Sequence, residues 1–348
     1  MKKVSVVILN WNGEELLRKF LPSVCRYSNV ESGDVEICVA DNGSTDGSLA
    51  LLDEEFPSVR QIRFEENHGF AEGYNRAIQL INAEYVVLLN DDVEVTENWL
   101  DYMVSYMDSH PNVAACQPKI LSYRAKEEGK KVFEYAGASG GYIDKYGYPF
   151  CRGRIFGTVE EDKGQYDTDA MVFWASGASL LIRLDDYLSV GGLDGRFFAH
   201  MEEIDLCWRL RSRGKGIVCL PKSVVYHIGA ASLKKENPQK TYLNFRNNLL
   251  MLYKNLSQPE LKRILRYRFF FDCLAALVFF LKGNRENASA VFRARRDYKK
   301  MHYAFASERS KNLISSIDEE IPERVSFSIL RNYYLMGRKR FRQLKLNS

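Results

Sequence analysis

The chain has 348 residues, of which 46% are hydrophobic and 27% are charged, and its formal net charge is +4. This ordinary globular balance excludes a disordered chain and a collagen-like repeat. No run of about 18 uncharged apolar residues is present, so we expect no conventional membrane-spanning helix. Met1 leads straight into a strand-like segment without a small-residue cleavage site, so we also expect no secretory signal.

The first ninety residues alternate between strand-like and helix-like segments. The predicted strands are short apolar runs, typical of buried parallel strands, at 4–9, 35–40, 59–64 and 85–89. Helices are predicted between them over 14–27, after an N-cap at Ser44 or Thr45 with Asp46 in the first turn, and from about 70 to 82. This rhythm predicts an α/β fold with a right-handedly wound parallel sheet and ligands at the carboxyl ends of its strands.

The pattern becomes less regular from about Val113. We predict a strand over 173–182, a helix over 202–213, short strands near 217–218 and 224–226, and mostly helix after Lys240. The length allows two domains, so we divide the chain into a catalytic domain, 1–240, and a mostly helical region, 241–348.

Cysteines and charges suggest where the protein works. The seven cysteines never occur as C-x-x-C, which argues against a disulfide framework or zinc ribbon and predicts a reducing, cytoplasmic location. Residues 282–348 contain 16 Lys/Arg and 7 Asp/Glu, so this tail carries +9 and residues 1–281 carry −5. The asymmetry favours an anionic partner for the tail, either phospholipid or nucleic acid, with a solvated helix surface as the alternative.

The end of the first predicted strand suggests a nucleotide pocket built from side chains. It reads Asn10-Trp11-Asn12-Gly13 rather than G-x-G-x-x-G, which disfavours a classical dinucleotide site and hydride transfer. Asn10 and Asn12 are suited to a base edge, and Asp41 to an imide N–H or a ribose hydroxyl. Taken singly, these residues could instead cap helices and shape turns.

Acidic residues form two candidate groups. Asn90-Asp91-Asp92 follows an apolar strand and suits Mg²⁺ or Mn²⁺, with His227 as a second ligand type; a surface turn is the alternative. Glu202, Glu203 and Asp205 open a helix, where acids often only complement the macrodipole. Glu202 and Asp205 share a face while Glu203 projects elsewhere, so one carboxylate could hold a basic residue while its neighbour acts as general base.

Five segments carry a recognisable combined pattern. They are VVILNWN (6–12), DNGSTD (41–46), NHGF (67–70), LNDD (89–92) and FFAHMEEIDL (197–206). In this order they resemble family 2 glycosyltransferases, most of all the rhamnosyltransferase-like members that build bacterial surface polysaccharides. The resemblance covers roughly residues 4–255. It implies a glycosyltransferase A fold, a nucleotide-diphosphate sugar donor, a divalent metal (Mg²⁺ or Mn²⁺) and inversion at the anomeric carbon.

The resemblance also implies roles for individual residues. The nucleotide-sugar site would be lined by Asn10, Asn12, Asp41, Asn67, Gly69, Asn90, Asp91, Gly177 and Ala178. Asp92 holds the last position of the family's D-x-D motif and would bind the metal together with His227. Asn90 holds the first position, where many members carry Asp. Glu203 stands where the family's base is usually Asp, with Glu202 and Asp205 as the alternatives.

We therefore predict a transferase that moves a sugar from a dTDP- or UDP-sugar to a hydroxyl of a glycan or lipid-linked saccharide. A nucleotidyltransferase would need a Gly- and Arg-rich N-terminal signature, which residues 10–16 lack. A non-catalytic binding protein would be expected to have lost Asp92 or Glu203. The basic tail contains no recognised nucleic-acid-binding motif, so no nucleic-acid partner is predicted.

The segment 269–281 is apolar nearly all round and is flanked by basic residues. As a helix it would span about 20 Å, which is short of the roughly 30 Å hydrocarbon core of a bilayer. It is therefore expected to dock on an anionic membrane surface at the inner face of the membrane. A buried brace on the catalytic domain, or a dimer contact, is the alternative.

Overall fold

The computed structural model describes residues 1–229, 237–317 and 319–346. Its strands are β1 (Lys2–Asn10), β2 (Val35–Asn42), β3 (Arg60–Phe64), β4 (Ala83–Asn90), β5 (Val93–Val95), β6 (Val113–Ser122), β7 (Gly141–Ile143), β8 (Pro149–Cys151), β9 (Arg154–Ile155), β10 (Thr158–Val159), β11 (Ala170–Met171), β12 (Ser179–Arg183) and β13 (Gly216–His227). Its helices are α1 (Glu14–Tyr27), α2 (Ser48–Glu55), α3 (Gly69–Ile78), α4 (Trp99–Ser109), α5 (Tyr123–Glu127), α6 (Leu184–Ser189), α7 (Glu202–Arg211), α8 (Pro238–Asn255), α9 (Gln258–Leu281), α10 (Arg285–Met301) and α11 (Ala306–Ile314).

The main sheet has the order β11-β13-β6-β12-β4-β1-β2-β3, and β5 pairs with β13. Strands β3, β2, β1 and β4 are parallel, as the sequence predicts. Beyond them the sheet is mixed, because β12 runs antiparallel to both β4 and β6. Strands β7 to β10 form a small separate sheet. The predicted α/β architecture, with helices on both faces and a helical C-terminal region, is confirmed.

Alternation along the buried strands explains the two helix layers. In β4, Tyr85, Val87 and Leu89 face a core shared with α1, α2 and α4, whereas Val86 and Leu88 face the opposite core with α3 and α7. A strand that is apolar at every position therefore has to be covered on both sides. Because β1 to β4 run parallel, they end at one edge of the sheet, where their polar C-terminal residues lie close together.

Several predicted boundaries are wrong in detail. Helix α2 begins at Ser48 with Gly47 at its N-cap, so neither Ser44 nor Thr45 caps it. Helix α3 ends at Ile78 rather than near residue 82. The two short strands predicted near 217 and 225 form the single strand β13, whose pairing register shifts between Leu220 and Val224.

The helices after residue 237 pack directly on the α/β body. Leu249 and Leu250 of α8 and Leu261 and Ile264 of α9 belong to the same buried cluster as the α3 and α7 side chains. Within the described ranges, no helix is long and apolar enough to cross a bilayer. Residues on both sides of position 240 share one core, so the division at 240 stays a prediction.

A buried cation fixes the contact between α8 and α7. The Lys254 ammonium lies 2.8 Å from Asp194 and 2.6 Å from Asp205, and all three side chains are less than a tenth exposed. Arg209 also donates to Asp205, at 2.9 Å. Buried charges are stable only when they are paired, so this cluster sets the position of α8.

We predict that Lys254→Met destabilises the fold by about 3–5 kcal/mol, because it leaves buried carboxylates with too little compensating charge. Urea unfolding followed by circular dichroism measures the change. Lys130→Met, which removes an exposed ion pair with Glu128, is the matched control and should leave stability near that of the wild type. Equal stability of the two variants would contradict a structural role for the Lys254 cluster.

Candidate active site

Two neighbouring parallel strands end in a polar pair. Asn10, the last residue of β1, donates from Nδ2 to Asp41 Oδ2 of β2 at 2.9 Å and to Ser44 Oγ at 3.1 Å. Asn10 and Asp41 are both buried. The Asn10 Oδ1 atom has no hydrogen-bond partner among the described residues, which leaves a buried acceptor at the strand edge. An orphaned amide oxygen of this kind is suited to a donor on a ligand.

The turns after β1 and β2 hold each other. Asn12, which has a positive φ of 53°, accepts from the backbone N–H of Thr45 at 2.7 Å. Ser44 Oγ accepts in return from the Asn12 N–H at 2.9 Å. The predicted N-cap residues are thus used to connect the two turns. Asn12 itself is exposed, so its face away from the turn is open to a ligand.

A second pair of turns lies beside the first. Asn42, the last residue of β2, donates to Asn67 Oδ1 at 3.0 Å and to the carbonyl of Gly69 at 3.2 Å. Gly69 has a φ of 78°, and a Cβ at this position would lie 2.5 Å from the Phe198 ring. Glycine is therefore required here both for the backbone conformation and for the close approach of the loop before α7.

Strand β4 brings its acidic cluster to the same edge. A Cβ on Gly13 would lie 2.4 Å from Asn10 Oδ1 and 2.6 Å from Asp91 Oδ2, so Asp91 adjoins the nucleotide side of the site. Burial and the neighbouring charge of Asp92 raise the pKa of Asp91 to about 7. The carboxylate is thus destabilised and would gain from a cation.

Asp92 and His227 lie in contact near the C-terminal ends of β4 and β13. The Asp92 Oδ1 atom lies 2.9 Å from His227 Nε2, and the Asn90 amide lies 3.4 Å from the same nitrogen. Glu134 approaches the other ring nitrogen, Nδ1, at 3.3 Å. Burial alone would lower the pKa of His227, but the two carboxylates outweigh it and raise that pKa to about 10.

The side chains around Asp92 fit a hard divalent cation that takes few of its ligands from the protein. Among the described residues, no group of three or more His, Cys, Asp or Glu side chains is arranged to hold an ion by itself. Mg²⁺ and Mn²⁺ usually need only one or two carboxylates, since substrate phosphates supply further oxygens. Asp92 would provide one carboxylate and His227 an imidazole nitrogen, and Glu134 would orient the imidazole.

The strand β12 and the helix α7 complete the site. The carbonyl of Ala178 accepts from the backbone N–H of Asn90 at 3.1 Å, which places the 177–178 turn against the acidic cluster. A Cβ on Gly177 would lie 3.8 Å from the Cβ of Glu203. The turn therefore joins the β4 cluster to the first turn of α7.

The three acids of α7 have different surroundings. Asp205 is fully buried and bound by Arg209, Lys254 and the Asn255 amide, so its oxygens are occupied. Burial raises the pKa of Glu203 to about 7, and burial together with the charge of Glu203 raises that of Glu202. Each glutamate has an Oε2 atom with no hydrogen-bond partner in the described chain. Glu203 is the more accessible of the two.

The loop that leads into α7 is strained and is held by α8. Phe198, His200 and Met201 all have positive φ values, which is uncommon for residues with bulky side chains. The buried Asn247 amide contacts the carbonyls of Phe197, Ala199 and His200 at 3.0, 2.9 and 2.7 Å. Sequence reasoning missed Asn247 and Glu134, since neither lies near a strand end or in a local motif.

Comparison with known families identifies the chain. Residues 5–158 match the model of glycosyl transferase family 2, and this range contains β1 to β4 with their C-terminal clusters. Residues 5–158 thus form a glycosyl transferase family 2 domain. The predicted family is therefore confirmed, as is the prediction that the protein is an enzyme.

Curated relatives of this glycosyltransferase include rhamnosyltransferases. N-acetylglucosaminyl-diphospho-decaprenol L-rhamnosyltransferase of Mycobacterium tuberculosis is 27% identical over 247 residues, covering 66% of this chain and 78% of that protein. Rhamnosyltransferase WbbL of Escherichia coli K12 is 23% identical over 232 residues, covering 64% and 83%.

Solved structures share the fold. GalNAc-T7 with UDP, GalNAc and Mn²⁺ superposes with a TM-score of 0.60 at 16% identity, covering 90% of this chain but only 58% of that one. Residues 1–349 of TarS from S. aureus, in complex with UDP-GlcNAc, superpose with a TM-score of 0.55 at 15% identity, covering 90% and 89%.

We predict that Asn247→Ala reduces turnover more than it weakens donor binding, because it removes the donor that holds the loop before Glu203. Leaving the buried carbonyls unpaired should also cost about 1–3 kcal/mol of stability. Steady-state kinetics, together with donor titration, separate the two effects. Asn244→Ala is the control, since in the described part of the chain the Asn244 amide donates to the Lys240 carbonyl of its own helix and to no other residue. Unchanged turnover in a folded Asn247→Ala protein would exclude a positioning role.

Proposed function

We propose that this enzyme is an inverting, metal-dependent transferase that moves a sugar from a dTDP- or UDP-sugar to a hydroxyl of a glycan or lipid-linked saccharide. The observation that carries the proposal is the position of Glu203. A carboxylate with a pKa near neutrality and a free oxygen lies beside Gly177, whose turn contacts the Asn90–Asp92 cluster. The proposed base, Glu203, and the proposed diphosphate site at Asn90–Asp92 would thus lie on either side of the turn at Gly177.

The donor side is assigned to the strand ends. Asn10 would bond the nucleotide base or ribose through its unpartnered Oδ1 atom, and Asp41, already bonded to Asn10, would fix the orientation of that amide. Asn12 and Asn67 border the same edge. Asp92 and His227 would hold Mg²⁺ or Mn²⁺ together with the diphosphate oxygens. The ion would neutralise the charge that grows on the leaving diphosphate.

The acceptor side is assigned to α7. Glu203 would accept the proton of the acceptor hydroxyl as that oxygen attacks the anomeric carbon from the face opposite the diphosphate, which inverts the configuration. Asp205 is a poor candidate for the base because Arg209 and Lys254 stabilise its charge and fill its oxygens. Glu202 is more deeply buried than Glu203 and therefore less accessible to an acceptor.

The class of substrate is proposed from the relatives. The names of two relatives describe rhamnosyl transfer, and one of them names a diphospho-decaprenol acceptor. We infer a deoxyhexosyl or hexosyl donor and a lipid-linked saccharide acceptor in surface polysaccharide synthesis. The seven cysteines are all free thiols, which supports the proposed cytoplasmic location, at the inner face of the membrane.

Asp92→Asn should weaken nucleoside-diphosphate binding in Mn²⁺ by at least about 10- to 100-fold, because even outer-shell ligand partners have effects of that size. The substitution keeps the shape of the side chain and removes its charge. Calorimetric titration of UDP and dTDP, with Mn²⁺ and with EDTA, measures the change. Asp101→Asn, an exposed acid on α4, is the control and should bind as the wild type does. Equal Mn²⁺ dependence in wild type and Asp92→Asn would exclude Asp92 as the ligand.

Glu203→Gln should retain donor binding and lose about 100- to 10,000-fold in transfer, because an amide cannot accept the acceptor proton. Release of nucleoside diphosphate in the presence of acceptor measures the rate. Since the base must be ionised, wild-type transfer should rise with pH and level off above about 7, the pKa to which burial raises Glu203.

Two companion variants test the choice of residue. Glu202→Gln should transfer sugar at a rate within a few-fold of the wild type and keep the same form of pH profile. Normal transfer by Glu203→Gln, with Glu202→Gln inactive, would assign the base to Glu202 instead. A wild-type rate that does not change between pH 5 and 8 would argue against any carboxylate base in this environment.

A further inference from the structure

Helix α9 has an inner face that is anchored on the protein body. Leu261, Ile264, Arg268, Asp272 and Ala276 are buried at spacings of three and four residues. The Arg268 guanidinium lies over the Tyr148 ring at 4.1 Å, and its Nε atom lies 3.5 Å from Asp272, which also pairs with Arg295 of α10. This buried ionic contact fixes the rotation of the helix about its axis, so the opposite face is held outward.

The outward face is apolar in the C-terminal half of α9. Phe270 is 65% exposed, Leu277 51% and Leu281 74%. Phe269, Leu274 and Phe280 are exposed with them. Monomeric proteins seldom expose a contiguous apolar patch of large side chains unless that patch binds something. No described segment of the chain covers these side chains.

The same face is basic in its N-terminal half and beyond its end. Lys262, Arg263 and Arg266 are exposed before the apolar half, and Lys282 and Arg285 follow it. Between residues 261 and 285 the only acidic residue is Asp272, which is buried and paired. Arg263 lies 3.8 Å from Glu260 at the start of the helix, so the patch is bordered by an excess of cations over acids. Such a patch is complementary to a surface with anionic head groups above an apolar layer.

The dimensions of the patch decide how it would meet a membrane. The apolar half covers 13 residues, 269–281, or about 20 Å of helix, whereas the hydrocarbon core is about 30 Å thick. It is attached to the protein along its whole inner face. It therefore suits a helix that lies in the plane of the head groups and inserts side chains from one side only.

We propose that the outward face of α9 binds the surface of a bilayer that contains anionic phospholipid. A second copy of this chain fits less well, because a symmetric contact would bring the cations of both copies together, and Glu260, which pairs with Arg263 and Arg324, is too little acid to neutralise them. Docking at the membrane would bring the enzyme to the proposed lipid-linked acceptor. Only this consequence rests on the proposed function. Binding to lipid requires neither donor nor acceptor.

Sedimentation with vesicles tests the proposal on the full chain. We expect the wild type to bind vesicles of phosphatidylcholine with phosphatidylglycerol at low salt, to release them as salt is added, and not to bind phosphatidylcholine alone. Leu277→Glu should abolish binding, because it places a charge at the centre of the apolar half. Lys262→Gln and Arg266→Gln should each weaken binding about fivefold, since one surface cation contributes about 1 kcal/mol.

Two control variants carry the same types of substitution at exposed residues outside α9. Ile314→Glu, at an exposed apolar side chain of α11, and Lys163→Gln, at an exposed lysine of the α/β body, should bind vesicles as the wild type does. Circular dichroism confirms folding, and light scattering without lipid gives the oligomeric state. Glu203→Gln should also bind like the wild type, so failure of the proposed chemistry would leave this result unchanged.

Three outcomes would overturn the proposal. The wild type could remain in the supernatant with anionic vesicles at low salt, or Leu277→Glu could sediment as the wild type does. The third is a wild-type dimer that ignores lipid and that Leu277→Glu converts to a monomer, which would identify the face as an interface between copies.

Discussion

The pairing of one buried ammonium with two carboxylates determines how the catalytic edge is assembled. Asp194 and Asp205 lie on either side of the loop and helix turn that carry Glu203, and Lys254 of α8 binds both. Because none of these charges can be left unpaired inside the protein, the loop between the two aspartates is held at both ends. Asp205 thus uses its charge for structure, while the charge of Glu203, a neighbour in the same turn, is not neutralised.

The two halves of the site consequently come from different parts of the chain. The proposed nucleotide side lies where β1, β2 and β4 end, within the range that matches the family model. The proposed base, Glu203, depends on α7 and on contacts from α8, both beyond residue 158. The strained backbone at Phe198, His200 and Met201 needs those contacts, since such conformations persist only where the surroundings enforce them. The C-terminal helices therefore serve the site as well as the fold.

The sequence alone predicted those features of the fold that short-range residue patterns encode. The bounds of α1 follow from hydrophobic periodicity, as do the positions of the first four parallel strands. The gathering of polar clusters at the strand ends follows from the parallel order of these strands. The antiparallel insertion of β12, the approach of Glu134 to His227 and the contacts of Asn247 join residues that are between 47 and 98 positions apart, which no local pattern specifies. Ser44 was a reasonable N-cap, but its hydroxyl bonds Asn10 and Asn12 instead.

The charge asymmetry of the chain also has a structural explanation. Several cations of the basic tail are used inside the protein: Arg295 pairs with Asp272, Arg324 with Glu260, and Arg309 donates to the Tyr253 carbonyl. Their charges hold the helical region together and contribute little to the outer surface. The cations that remain exposed near α9 border an apolar stretch, 269–281, whose one acid, Asp272, is buried. Their placement, more than the +9 of the tail, makes this face complementary to an anionic surface.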